Sequence, residues 1–98
     1  MEAILVMKKD LAETRALGIL GWVLAQDELL PVFLNATGVT EGDLRSRAAD
    51  PVFLASVVEF VMLDDAWVID CAQAQGWPPQ DIMQIRAGLP GGDQPNWT

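Results

Sequence analysis

The sequence predicts a single all-α domain, a compact bundle of five or six short helices around a central apolar helix from about Pro51 to Leu63. Three observations predict it. Capping residues recur along the chain, apolar residues return at helical spacing, and strand-like alternation is scarce. The chain has 98 residues, enough for one hydrophobic core but not two. Hydrophobic residues make up 51% and charged residues 20%, a balance that folds without staples. The reading divides the chain into an N-terminal extension over 1–9, a helical domain over 10–89 and a loose tail over 90–98.

Asp10 and Glu13 form an Asp-x-x-Glu variant of the capping box, which opens a first helix running to about Gln26. Leu17, Ile19, Leu20, Trp22, Val23 and Leu24 cover most of its circumference, so its second half is expected to be largely buried. Gly18 and Gly21 each cost about 1 kcal/mol in a helix interior. Two such costs imply either another helix packed close against them or a weak, bent helix. Pro31 pushes Leu30 away from helical angles, so a second helix is expected to start near there. Val32, Phe33 and Ala36 are its core candidates, and Gly38 suits a left-handed C-terminus.

Thr40 caps a short helix that carries Leu44, Arg45, Arg47 and Ala48. Asp50-Pro51 is the clearest boundary, with Asp as cap and Pro in the first helical position. In the helix that follows, only Ser56 and Glu59 interrupt the apolar surface. Asp64-Asp65 stops it and starts the next, whose inward stripe is Trp67, Val68, Cys71 and Ala72 and whose wet side is Asp70 and Gln73. Gly76 ends that helix. Trp77-Pro78-Pro79 is a rigid connector, with Pro79 suited to open a last helix bearing Ile82, Ile85 and Leu89. Short connections imply that sequential helices are neighbours.

The net charge is −8, from 14 acidic and 6 basic residues. Nucleic-acid affinity comes mainly from Lys and Arg on phosphates, so a nucleic-acid partner is disfavoured, as is an anionic membrane. The apolar stretch from Ala16 to Ala25 is about half the ~20 residues a span needs. The apolar opening Met1–Met7 has its basic pair, Lys8-Lys9, after it, the reverse of a signal peptide. The single Cys71 makes no internal disulfide, which fits a reducing, cytoplasmic setting.

No catalytic, cofactor or metal site emerges. Asp64, Asp65 and Asp70, with Glu59 nearby, are the best carboxylate grouping for Mg²⁺ or a shared proton. Capping and solvation account for them more simply. Cys71 lacks a base, because the chain contains no His. Its place on an apolar stripe reads as a buried, inert thiol. The same lack removes the usual zinc sets and the Glu-x-x-His di-iron pattern. Arg45 and Arg47 point to different sides of their helix, and one or both are expected to pair with the domain's many acids, for instance Asp43 or Asp50. Either could instead clasp a partner carboxylate or phosphate.

Tryptophan is more informative, with four copies and no Tyr. Trp22 and Trp67 hold core-like positions. Trp77 sits in the Pro-rich connector and Trp97 in the tail, where helical spacing does not require burial, and exposed Trp is a frequent hot spot. The leading expectation is a non-enzymatic protein-interaction module, a small adaptor or regulator, using Trp77, Trp97, Arg45 and Arg47. One alternative is a small-ligand-binding protein or enzyme with a pocket near Trp67 and Cys71. Another is a self-associating structural protein that uses Met1–Met7 or the Gly18/Gly21 face. A homodimer is compatible with the leading reading too.

The run Thr37-Gly38-Val39, Asp43-Leu44-Arg45-Ser46-Arg47-Ala48 and Asp50-Pro51-Val52-Phe53-Leu54 resembles a family of small alphaproteobacterial proteins, a domain of unknown function. Asp64-Asp65, Gly76-Trp77-Pro78-Pro79 and Leu89-Pro90-Gly91-Gly92 fit the same pattern, which covers roughly Asp10 to Gly92. The resemblance implies a bacterial, cytoplasmic, helical protein. It carries over no catalytic residue, because its shared positions are caps, turns and core.

Overall fold

A computed structural model describes residues 8–91. Among them every regular element is helical: α1 (Lys9–Ala25), α2 (Leu29–Thr37), α3 (Glu41–Arg47), α4 (Pro51–Met62), α5 (Asp65–Gln75) and α6 (Gln80–Ala87). The domain is all-α, and its boundaries follow the local chemistry. Thr40 Oγ1 accepts the Asp43 N–H at 3.2 Å, Asp50 Oδ1 the Val52 N–H at 3.0 Å, and Asp64 Oδ1 the Ala66 N–H at 2.8 Å. Each bond satisfies an N–H that the helix start leaves without a partner. Gly38 and Gly76 close α2 and α5 with φ of 73° and 81°, a left-handed conformation that costs a residue without Cβ nothing.

Three expected helix starts shift. Lys8, not Asp10, holds the cap position of α1, and no side chain caps it. Asp10 lies in the first turn, where its carboxylate favours the positive helix end without a capping bond. α2 begins at Leu29, so Pro31 lies inside its first turn, where its missing N–H has no intrahelical partner to lose. Pro79 stands just before α6 instead of in its first position.

The core forms around α4, which buries Phe53, Leu54, Ala55, Val57, Val58, Phe60 and Val61. α1 lies along it with the stripe Ala12, Ala16, Ile19, Leu20 and Val23. α6 packs against both through Ile82 and Ile85, and α5 contributes Cys71 and Ala72. The chain bends by 119° between α1 and α2. α2 then seats Phe33 edge-on to Phe53 and Phe60, with ring centres 6.2 and 5.2 Å away. No single described helix is long and apolar enough to cross a membrane.

Burial is narrower than expected in two helices. In α1 a stripe is buried, whereas Leu17 is exposed and Trp22 and Leu24 are half-buried. In α2 only Leu29 and Phe33 are buried, and Val32 and Ala36 face outward. A nine-residue helix lying across the core offers it little more than one i, i+4 pair.

The two α1 glycines also differ. Gln75 of α5 donates its side-chain N–H to the Gly18 carbonyl at 2.9 Å, and a Cβ on Gly18 would lie 3.3 Å from Gln75 Oε1. A Cβ on Gly21 would meet nothing within 4 Å. Close approach therefore explains Gly18 alone. Gly21→Ala is expected to stabilise the domain by about 1 kcal/mol through helix propensity, raising Tm by roughly 4–8 °C. Gly18→Ala is expected to gain less, since Gln75 must shift. Equal gains in thermal unfolding would contradict this packing.

Candidate functional site

Position along α4 decides what its polar face does. Val52, Ser56, Glu59 and Leu63 follow one another at helical spacing along one side, none of them fully buried. They line a groove of about 410 Å³ whose other wall is the end of α2 and the segment from Val39 to Asp50. Phe53 and Phe60 form its floor, held from beneath by Phe33. Val52 is 64% exposed and Leu63 76%, the two highest values among the described large apolar side chains.

Most polar groups of the groove are already engaged. Ser56 Oγ donates to the Phe53 carbonyl at 2.6 Å, and Thr37 Oγ1 to that of Phe33 at 2.9 Å. Arg86 Nε and Nη2 both bond Glu59 Oε2, at 2.7 and 2.6 Å. Asp50 is spent on its cap. Arg47 also lines the groove. Contrary to expectation, neither Arg45 nor Arg47 forms an ion pair with any described residue. Both sit on an exposed seven-residue helix, where holding a long side chain in one geometry gains little.

Beyond α2 lies a second cleft, of about 530 Å³, between the α1–α2 turn and α5. Trp22 and Trp67 are its aromatic walls and Asp27, Glu28 and Asp70 its carboxylates. Trp67 stacks on Phe60, with ring centres 5.1 Å apart and planes 25° apart. Both indoles are half-buried, against the core burial expected of them, because each lies at the edge of its helix's buried stripe.

The expected site residues are dispersed. Arg47 is in the groove and Arg45 is outside it. Trp77 is half-buried at the start of the α5–α6 connector. Arg15 lies 5.0 Å from its ring centre and binds Asp81 at 3.2 Å, so one indole face is covered. Trp97 lies outside the described residues, as does Met1–Met7. The Gly18/Gly21 face is partly taken by Gln75. Asp64, Asp65, Asp70 and Glu59 do not converge, and no metal-holding group of three or more such ligands occurs among the described residues. Val52 and Leu63 were missed as surface residues. Their signal was the spacing that sets them on the face of Ser56 and Glu59.

These features define a small all-α domain with a shallow, aromatic-floored groove over its central helix. The family model DUF3572, described as a protein of unknown function, matches residues 9–92, and the chain belongs to that family. No curated protein and no solved structure matches it.

Cys71 is fully buried on the core side of α5 and lines neither cavity. Burial pushes its thiol up from 9.0 to about 11, away from nucleophile chemistry at neutral pH. Below pH 9 both folded and unfolded thiols are protonated. Between 9 and 11 the unfolded thiol ionises first, so stability falls as pH rises, by up to about 1.4 kcal/mol per pH unit. Urea unfolding at about pH 8 and 10 is expected to show a steeper loss for the native chain than for Cys71→Ala. Parallel losses would place the thiol in a more solvated site.

Proposed function

We propose that the protein is a non-enzymatic interaction module that receives an amphipathic helix of a partner protein in the groove over α4. One observation carries this reading: the two most exposed large apolar side chains among the described residues, Val52 and Leu63, bracket a single groove with a Phe53/Phe60 floor. They lie eleven positions apart, about 16 Å along a helix at ~1.5 Å per residue, or some three turns. A partner helix of that length would set apolar anchors at i, i+3 or i+4 and i+7 onto the floor. Arg47, with no ion pair among the described residues, favours a carboxylate on the partner's flank. The net charge of −8 supports a protein partner over nucleic acid or an anionic membrane. The resemblance to alphaproteobacterial proteins and the lone reduced Cys71 support a bacterial, cytoplasmic setting.

Val52→Asp and Leu63→Asp put charge on exposed positions, so both variants are expected to keep native helicity and Tm. A partner held by the native chain is expected to bind each about thirtyfold more weakly, the loss typical of a hot spot of ~2 kcal/mol. Leu17→Asp, exposed on α1, serves as the control and is expected to bind normally. Cross-links from the partner should map to one helical segment of it. Equal binding by all three variants would overturn the reading. So would a dimer-to-monomer shift caused by Leu63→Asp, which would make a second copy of the chain the occupant.

A further inference from the structure

We infer that the cleft between the α1–α2 turn and α5 is a second binding site, for the guanidinium of an arginine presented by a protein partner. It is separate from the groove over α4 and does not depend on it.

Trp22 and Trp67 line this cleft together with Asp27, Glu28 and Asp70, and no basic side chain lines it. Asp27 and Glu28 come from the turn and Asp70 from α5, all three exposed, so a cation in the cleft meets carboxylates from both walls. The indoles supply what bare charge does not. A cation set over a Trp face is held by the ring quadrupole, most strongly where water is excluded. Stacking on Phe60 occupies one face of Trp67 and fixes its plane.

Arginine fits better than lysine. A guanidinium is planar, stacks on indole and offers a rigid fork of N–H groups to carboxylates, whereas an ammonium is a compact, strongly hydrated charge. The domain builds the same arrangement once from its own residues, with the Arg15 guanidinium 5.0 Å over the Trp77 ring and bonded to Asp81 at 3.2 Å. In the cleft the aromatic and acidic parts are present and the arginine is not. About 530 Å³ takes such a side chain with its flanking backbone. The net charge of −8 steers a basic segment toward the domain.

The test uses the full chain with Trp77→Phe and Trp97→Phe, which leaves Trp22 and Trp67 as the only indoles. Capped Gly-Arg-Gly, Gly-Lys-Gly and Gly-citrulline-Gly peptides are titrated by fluorescence and by indole N–H NMR shifts. The arginine peptide is expected to move both indole signals and to bind at least tenfold more tightly than the isosteric, neutral citrulline peptide. The lysine peptide is expected to fall between them. Asp70→Asn combined with Glu28→Gln is expected to weaken arginine binding tenfold or more. Leu63→Asp is expected to leave it unchanged, which separates this site from the groove. Equal binding of arginine and citrulline peptides would overturn the inference, and that comparison needs no variant to fold. Equal binding of arginine and lysine peptides would overturn the guanidinium assignment. Indole signals unmoved by the arginine peptide would overturn the site.

Discussion

Burial of the α4 surface is the constraint on which the rest depends. Seven of its side chains are out of water, each Val, Leu or Phe among them contributing on the order of 1.5–3 kcal/mol. A helix so apolar is stable only when other helices cover it. α1, α5 and α6 do so along their buried stripes, and α2 closes the remaining side with Phe33. The last sector, from Val52 to Leu63, stays open because α3 is too short and too polar to reach across it. The groove is thus the part of the central helix that the chain itself leaves uncovered.

Tight connectors make this cover possible. Between α4 and α5 only Leu63 and Asp64 intervene, and the Asp64 cap starts α5 at once. Gly38 and Gly76 turn the chain where a side chain would strain the left-handed backbone. At the far end, Arg86 joins α6 to Glu59 of α4 and to the Pro90 carbonyl at 3.0 Å, tying the last described turn to the core helix.

What was legible in the sequence was local. Thr40, Asp50 and Asp64 act within three residues of themselves, so their capping roles could be read from adjacent letters. The polar notch of Ser56 and Glu59 in an apolar helix was equally plain. Contacts made by distant elements were not. Gly18 and Gly21 look alike in sequence, and only the arrival of Gln75, 57 positions later, separates them. Arg15 finds Asp81 across 66 positions, and nothing near either residue announces the pair. Val52 and Leu63 were hidden by a sound default, that apolar residues on a core helix are buried. Trp22 and Trp67 were hidden by the same default, although amphipathic rings often lie half in and half out.

Phe60 lines the groove and also stacks on Trp67, which lines the second cleft. One ring thus touches both neighbourhoods. Occupants that both displace it are energetically linked, and linkage is reciprocal: the factor by which the first alters the affinity of the second equals the factor in reverse. Were both sites filled, any coupling between them would run through this one aromatic contact and would need no hinge or large rearrangement of the backbone.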